Sequence, residues 1–311
     1  MQHSSQLLVE LLRCPISGEP LRWRDSQLVS ASGHHEYPLS ADGIPLFAKD
    51  FRSEDAGTQE QHYDRVAQAY VENLDYPHTQ EYMAFLDEAL LRVVDPKGLD
   101  TIAEVCCGHG EAFKLLRGRF RRGVGVDISE TMLKAAVKLH DAPHLTFVQG
   151  DATRLPLADG VFDSVFMLGG VHHVNARRAL FGEIHRILKP GGRFYFREPV
   201  SDFFLWRLIR ALIYRMSPAL DHRTERPLQR RDTEPLLAEA GLACEHWSTE
   251  GFLGFCLFMN SDVLVFNRAF RHVPGIRTIT RAATRFDRWV TRLPALSHAG
   301  LQVIGCAVKR A

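Results

Sequence analysis

The segment 104–111 reads EVCCGHGE and places two adjacent cysteines beside a Gly-His-Gly run. Cysteine and histidine bind zinc, and paired cysteines carry redox chemistry, but in zinc knuckles and thioredoxin-like pairs two residues separate the cysteines. Cys106 and Cys107 are neighbours and would form a disulfide only with strain. The other interpretation is a tight loop after a buried strand, in which Gly108 and Gly110 let a ligand approach the backbone closely. The spacing favours the loop.

An acidic residue follows this loop at a spacing typical of nucleoside-binding sites. Asp127 lies 19 residues after Gly108. It ends the second predicted strand, where a carboxylate accepts hydrogen bonds from ribose hydroxyls in dinucleotide-type sites. His109 lies inside the loop and is interpreted as a variable position. The residues alone leave NAD open as an alternative cofactor.

The elements that position these residues alternate between strand and helix after Pro96. Helical patterns start at Glu111, at Ser129 and at Asn175, and they separate runs with the composition of strands, TIAEVCC, GVGVDIS, LTFVQGD, FDSVFMLG and GGRFYFREP. A helix-like DTEPLLAEAG and two further strands complete the chain. This alternation predicts an α/β fold with a doubly wound, mostly parallel sheet, in which ligands bind at the carboxyl ends of the strands.

Four motifs resemble, in order, those of class I S-adenosylmethionine-dependent methyltransferases. They read EVCCGHG, GVGVDIS, VQGDATRLPLADGVFDSVFMLGGVHHV and EIHRILKPGGRFYFREP. The resemblance covers residues 60–200 well and the final strands more loosely, and it implies a seven-stranded sheet. Cys106 stands where the family usually has its first glycine, a substitution familiar among the quinone-type C-methyltransferases that this segment resembles.

The resemblance implies S-adenosyl-L-methionine as cofactor and no metal. Glu104 would hold the amino group of the methionine part, with Gly108 and Gly110 near the sulfonium, and Asp127 would accept the ribose hydroxyls. Asp151 would accept the adenine amino group. The remaining contacts implied for the cofactor are Cys106, Ile128, Ala152 and Leu168.

The acceptor is expected at the same edge of the sheet. His172 and His173 follow the fourth strand and Glu198 follows the fifth, and with His222 they are the candidate catalytic residues. His172 is the first choice as a base, because an imidazole titrates near neutral pH. Alternatively, the histidine pair only shapes the pocket. An Asn-Pro-Pro-Tyr run is missing after the fourth strand, which argues against a nucleic-acid amine and favours a small, largely apolar organic acceptor.

Two insertions, 201–228 and 252–297, are too long for ordinary loops. They are rich in aromatic and aliphatic residues, and we expect a helical cap that closes over the acceptor. Within the second insertion an arginine stripe recurs at helical spacing, opposite an apolar face. Contact with an anionic membrane, guidance of an acidic ligand and a solvated surface are its alternative interpretations. The stripe consists of Arg277, Arg281, Arg285, Arg288 and Arg292.

Residues 1–50 are predicted to form a small β module, and residues 50–60 a linker to a domain over 60–311. The module, with LLRCPISGEPL and EYPLSADGIPLF, resembles the zinc-binding activator subunits of RNA and protein methyltransferases. Cys14 remains of their four ligands, while Ser17, Ser30 and Gly33 stand about where the others belong. Because tetrahedral zinc needs four thiolate or imidazole ligands, we expect a zinc-free relic.

Composition limits the function further. The chain has 38 basic and 37 acidic residues, a balance that gives no reason to expect nucleic acid as the partner. It lacks a signal-like start and an uninterrupted apolar run of about 18 residues, which favours a cytoplasmic enzyme. Three alternatives to the methylation of a small organic acceptor remain: a cofactor-dependent cyclisation or decarboxylation, an inactive interaction protein, and an RNA or protein methyltransferase.

Overall fold

The structure is a computed structural model that describes residues 9–61, 73–140, 142–208, 226–259 and 265–310. Ten strands form two sheets in the described part of the chain. The small sheet consists of β1 (Leu21–Arg24), β2 (Gln27–Ser30) and β3 (Glu36–Tyr37). The large sheet consists of β4 (Thr101–Val105), β5 (Arg122–Asp127), β6 (Leu145–Gln149), β7 (Phe162–Leu168), β8 (Leu188–Pro199), β9 (Leu242–Glu250) and β10 (Gln302–Lys309).

The large sheet has the strand order β6-β5-β4-β7-β8-β10-β9. The first five of its strands along the chain, β4 to β8, pair in parallel, and β10 runs antiparallel between β8 and β9. The strand order reverses between β4 and β7, and ligands of doubly wound sheets bind at such a switch point. The predicted fold, that of class I methyltransferases, is confirmed.

Helices cover both faces of this sheet. They are α1 (Pro77–Leu91), α2 (Glu111–Leu115), α3 (Glu130–Leu139), α4 (Arg177–Ile187), α5 (Arg230–Glu239), α6 (Leu253–Phe258) and α7 (Ile276–Arg292). All residues of β4 are buried, and neighbours along it belong to different hydrophobic clusters, Ile102 to one and Ala103 to the other. This two-residue alternation in a strand covered on both faces explains why Ile102, Ala103 and Val105 are all apolar, whereas Glu104 is a buried polar exception.

The N-terminal β module packs directly on the large sheet. Leu12 and Tyr37 belong to the same hydrophobic cluster as Ala103 of β4. The Cys14 thiol lies 3.0 Å from the Tyr37 hydroxyl and accepts the Ser17 backbone N–H at 3.3 Å. Within the described residues there is no group of three or more Cys, His, Asp or Glu side chains that could hold a metal ion. A zinc-free module stays a prediction.

The predicted linker over 50–60 is wrong for most of its length, since residues 54–61 are helical. This segment contacts the large sheet through side chains. The Ser53 backbone N–H and hydroxyl donate to Asp151, and Asp55 accepts the backbone N–H and side-chain amide of Asn175. Its polar composition therefore serves contacts between segments.

Both insertions leave the sheet at its carboxyl edge, as predicted. Gln302 at the start of β10 pairs with Pro199, which precedes the first insertion, and with Glu250, which precedes the second. The described part of the second insertion packs on α1 through a cluster that includes Tyr82, Phe255 and Ile276. Residues 209–225, and with them His222, lie outside the described residues.

Several arginines of helix α7 bind neighbouring side chains and do not only face solvent. Arg277 donates to Gln80, Arg281 pairs with Glu81 at 2.8 Å, and Arg288 pairs with Glu88 at 2.8 Å. Three members of the arginine stripe therefore bind α1. None of the described helices is long and apolar enough to cross a membrane.

Candidate active site

The loop after β4 contains three residues with a positive φ: Cys106 (52°), Gly108 (50°) and Gly110 (84°). This left-handed region is open to glycine, but it strains a residue that carries a Cβ. Cys106 is therefore the strained member of the loop. A Cβ added to Gly170 would lie 2.6 Å from the Cβ of Cys106. The side chain of Cys106 therefore fits only because residue 170 has no side chain.

The two cysteines of this loop are poor ligands and poor nucleophiles. Burial raises the pKa of both thiols well above its usual value, and the nearby carboxylate of Asp127 raises it further. Metal binding and nucleophilic attack both need the thiolate. Cys106 and Cys107 therefore act as small protonated packing residues, in agreement with the loop interpretation.

Asp127 holds the loop from the end of β5. Its Oδ2 accepts the Gly108 backbone N–H at 2.7 Å, and its Oδ1 accepts the Ser129 backbone N–H at 2.9 Å. Burial raises the pKa of Asp127, and these hydrogen bonds oppose the rise. The carboxylate keeps unused lone pairs for a ligand in the neighbouring cavity.

Glu104 lies deeper, in the interior of β4. Its Oε1 accepts the Ala112 backbone N–H at 2.8 Å, at the start of α2. Its Oε2 is buried and has no hydrogen-bond partner among the residues that the structure describes. Burial raises the pKa of Glu104 well above its usual value. A buried acceptor without a partner is costly, and a donor that reached Oε2 would remove that cost.

Asp151, which follows β6, accepts four hydrogen bonds. The Ser53 backbone N–H and hydroxyl donate to its Oδ2 at 2.7 and 2.6 Å. The Thr153 backbone N–H and hydroxyl donate to its Oδ1 at 2.7 and 2.6 Å. A carboxylate offers about four lone-pair sites, and all are occupied. This conflicts with the predicted bond to an adenine amino group unless Ser53 withdraws.

A cavity of about 630 Å³ opens between the loop after β4 and the end of β7. A smaller one of about 430 Å³ adjoins it and lies under the segment 53–59. Predicted cofactor residues line one or both of them: Cys106, Gly108, Asp127, Ile128, Asp151, Ala152 and Leu168.

Two predicted cofactor residues, Glu104 and Gly110, lie outside the linings of these two cavities. A Cβ on Gly110 would meet Nε2 of His140 at 2.7 Å, so this glycine faces the packing behind the loop. The structure therefore does not support its predicted place at the sulfonium.

Sequence reasoning missed several lining residues, among them Gln59, His109, Glu111 and Met132. Gln59 belongs to the segment interpreted as a linker, and His109 was interpreted as a variable position. Glu111 is held by Arg197, which binds it at 2.5 Å and also binds Asp87 of α1 at 2.6 Å. The start of α2 directly after a glycine loop is the signal that could have identified Glu111.

The predicted catalytic residues separate into two groups. Glu198 is fully buried, and it accepts the backbone N–H groups of Gly170 and Val171 at 2.8 Å each and Nδ1 of His172 at 2.8 Å. These bonds hold the turn after β7. Neither Glu198 nor His172 lines the two cavities, and their place beside the transferred methyl group stays a prediction.

His173 is the histidine of this turn that reaches the cavities. It lines both of them, and its ring centroid lies 3.8 Å from that of His172. The predicted grouping of Glu198, His172 and His222 in one pocket cannot be completed, because His222 lies outside the described residues. The turn presents His173 instead, with His172 and Glu198 behind it.

Comparison with known proteins agrees with this geometry. Residues 103–196 match the family model described as a methyltransferase domain. Over this segment the chain is similar to that family.

Curated relatives match part of the chain. The phthiotriol/phenolphthiotriol dimycocerosates methyltransferase of Mycobacterium tuberculosis is 33% identical over 109 residues, which is 34% of this chain and 40% of the relative. The 27-O-demethylrifamycin SV methyltransferase of Amycolatopsis mediterranei is 29% identical over 154 residues (46% and 55%). The demethylmenaquinone methyltransferase of Lactococcus lactis is 37% identical over 112 residues (34% and 44%). The chain spans about half the length of these relatives or less.

Solved structures share the fold. The [4+2]-cyclase SpnF has a TM-score of 0.58 at 18% identity, with 82% of this chain and 97% of that one covered. A complex of the Haloferax volcanii Trm112 methyltransferase activator with a methyltransferase has a TM-score of 0.55 at 21% identity (81% and 97%). At these identities the likeness concerns the fold alone.

Proposed function

We propose that this chain transfers a methyl group from S-adenosylmethionine to a small, largely apolar organic acceptor. The observation that carries the proposal is the cavity at the switch point of the sheet, with Asp127 in its wall and His173 at its edge. Ligands of this fold class bind at that edge. The cofactor, when bound, supplies an electrophilic methyl group.

The residues present fit the cofactor. Asp127 has lone pairs left for the ribose hydroxyls, and Ile128 and Ala152 provide apolar surface in the smaller cavity. The unpartnered Oε2 of Glu104 would accept the methionine ammonium group, directly or through water or the loop backbone. An arriving cation would favour the ionised carboxylate and so lower its raised pKa.

His173 would act on the acceptor. S-adenosylmethionine would supply the methyl group to the acceptor's nucleophilic atom and would leave as S-adenosylhomocysteine. A hydroxyl acceptor also loses a proton, which His173 would accept and pass to solvent. His172 and Glu198 would position His173, because Glu198 ties together three consecutive residues of the turn.

The relatives support the class of acceptor. Their names specify methylation of phthiotriol dimycocerosates, of 27-O-demethylrifamycin SV and of demethylmenaquinone. These are organic molecules of largely apolar surface. We therefore place the acceptor of this chain among quinone-like, polyketide-like or lipid-like molecules with a nucleophilic carbon or oxygen.

The test is to incubate the full chain with methyl-labelled S-adenosylmethionine and a panel of quinols, polyketide phenols and lipid phenols. We expect label in one acceptor and an equal amount of S-adenosylhomocysteine. Product without S-adenosylhomocysteine would replace methyl transfer by a cofactor-dependent rearrangement such as a cyclisation. No conversion of any acceptor would remove the proposed acceptor class.

The same assay separates the roles of the residues. Asp127→Asn should weaken cofactor binding at least tenfold in calorimetry, because charge-assisted hydrogen bonds contribute about 1.5–3 kcal/mol. Asp163→Asn is the matched control, since Asp163 also accepts a backbone N–H, from Thr101, at the opposite edge of the sheet. His173→Ala should lower turnover and leave cofactor affinity unchanged. Unchanged affinity of Asp127→Asn would remove the cofactor assignment.

A further inference from the structure

The solvent-facing half of helix α7 carries large apolar side chains. Ile279 is 49% exposed, Phe286 45% and Trp289 59%. Their spacings of 7 and 3 place them on one stripe of the helix. The buried face is a different one and includes Thr280, Thr284 and Asp287. Within the described residues, the apolar stripe thus lies outside the face that packs α7 on its own domain.

Helix α6 extends this stripe. The Gly254 and Phe255 backbone N–H groups donate to Asp287, at 3.1 Å each, and hold α6 beside α7. On α6, Leu253 is 48% exposed and Leu257 43%. A Cβ added to Gly254 would lie 3.1 Å from the Cβ of Ala283, next to the apolar stripe. We call the combined surface the cap patch; it consists of Leu253, Leu257, Ile279, Phe286 and Trp289.

The charges beside the cap patch are positive. Arg285 precedes Trp289 by four residues and Arg292 follows it by three, so both lie on adjoining positions of the helix. Both are exposed, and neither forms an ion pair within 4 Å in the described residues. At longer range the charge of Arg292 acts on the carboxyl of Glu250, where it opposes the burial that raises the pKa of that group. The one carboxylate in the sequence of α7, that of Asp287, is fully buried. The exposed half of the helix therefore combines apolar and cationic side chains without an acidic one.

We propose that the cap patch binds the surface of an anionic lipid bilayer, with α7 lying in the headgroup layer. A helix of this kind buries its apolar face at the boundary between headgroups and acyl chains. Tryptophan favours that boundary, and arginine extends its guanidinium toward the headgroups while its stem stays apolar. Each basic residue near an anionic surface strengthens the attraction to it.

An apolar protein partner fits the surface less well. Such a partner would cover the leucines and aromatic rings, but it would have to provide separate acidic groups for Arg285 and Arg292. Anionic headgroups supply that charge at every position of the surface. The proposal does not depend on methyl transfer, because vesicle binding requires neither the cofactor nor an acceptor.

The experiment is flotation of the full chain with phosphatidylcholine vesicles that contain or lack phosphatidylglycerol. We expect binding to the anionic vesicles, at least a tenfold loss of partitioning for the double variant Phe286→Ser/Trp289→Ser, and a loss that depends on phosphatidylglycerol for Arg285→Gln/Arg292→Gln. Trp23→Ser is the matched control, since Trp23 is also 36% exposed but lies in the N-terminal module. Its binding should equal that of the unmodified chain.

Melting temperatures of all variants check that the substituted chains are folded. Two results would overturn the proposal. One is equal flotation of the double variant and the unmodified chain. The other is a chain that does not bind vesicles but sediments as a dimer that Phe286→Ser/Trp289→Ser dissociates, which would make the cap patch an interface between two copies.

Discussion

The loop after β4 and helix α7 use buried carboxylates in opposite ways. At the loop, Asp127 of β5 accepts one hydrogen bond from Gly108 and one from Ser129, and it keeps lone pairs toward a cavity. In the cap, Asp287 receives the Tyr82 hydroxyl at 2.5 Å and three backbone N–H groups at the start of α6. The first carboxylate is available to a ligand, whereas the second is fully used by the fold.

This difference shows how a polar residue can be assigned to function or to structure. A buried carboxylate with all lone pairs satisfied within the chain holds segments together, and one with capacity left beside a cavity can bind a ligand. By the same criterion Glu198 belongs with Asp287. Glu104 shares with Asp127 only the spare lone pairs, since it lies outside the linings of the two cavities. Asp151 has a saturated carboxylate but lines a cavity, so it lies between the two groups.

The largest expected effect concerns Asp287. Asp287→Ala leaves three backbone N–H groups and the Tyr82 hydroxyl without their acceptor, and we expect a loss of about 3–5 kcal/mol in unfolding free energy. Urea denaturation followed by Trp fluorescence measures it, since Trp206 is buried in the same cluster. Cofactor affinity should change less than twofold. Tyr82→Phe is the control and should cost about 1 kcal/mol, because it removes one bond. If Asp287→Ala lowered the unfolding free energy by less than Tyr82→Phe does, Asp287 would not be the carboxylate that holds the cap together.

In contrast to Asp287, we expect a substitution of Glu104 to lower cofactor affinity without lowering the stability of the fold. Burial raises its pKa in the folded chain, so the wild-type chain loses stability as the pH rises above the unfolded value of about 4.3, through the folded pKa. Glu104→Gln cannot ionise. We expect it to be more stable than wild type near neutral pH, by roughly 1 kcal/mol, and no more stable near pH 4. Its cofactor affinity should fall at least tenfold.

Thermal unfolding over this pH range and calorimetry with S-adenosylhomocysteine, which keeps the ammonium group, measure the two effects. Glu198→Gln is the matched control, because Glu198 is as buried as Glu104 but accepts four hydrogen bonds from the turn after β7 and has no lone pair left for a ligand. It should leave cofactor affinity unchanged. A stability difference between Glu104→Gln and wild type that stays constant with pH would mean that Glu104 is not the titrating group.

The sequence predicted the loop better than the cap for a physical reason. In the loop, strand, glycine and acidic residue are separated by short, fixed distances along the chain, so local spacing largely determines their geometry. In α7 the periodicity of the sequence distinguishes a charged face and an apolar face. The structure buries neither of them and instead buries another face of the helix, which includes Thr280 and Asp287. That choice depends on α1, nearly 200 residues away, whose Glu81 and Glu88 pair with the arginines. Local patterns carry no information about such a partner.

The contribution of residues 53–59 to the site could not be predicted from the sequence for a related reason. Ser53 reaches Asp151 across 98 residues of chain, and the segment's polar composition is equally typical of a linker. His173 was distinguishable from His172 only in three dimensions, because neighbouring side chains in the turn point to Glu198 in one case and to the cavity in the other.

The smallest expected effect concerns Ser53, and it decides to which group Asp151 belongs. Because Ser53 and Thr153 occupy all of its lone pairs, an adenine amino group can bond to Asp151 only if a present donor withdraws. Ser53→Ala removes the hydroxyl donor and keeps the backbone N–H, so we expect cofactor affinity to rise about two- to tenfold, the equivalent of one hydrogen bond of 0.5–1.5 kcal/mol. Ser40→Ala is the matched control, because the hydroxyl of Ser40 accepts backbone N–H groups in a turn, from Asp42 and Ile44, but lies in the N-terminal module.

Calorimetry on both variants measures the difference in cofactor affinity. Weaker binding by Ser53→Ala would place Asp151 with Asp287, as a carboxylate whose bonds within the chain must persist while the ligand is bound.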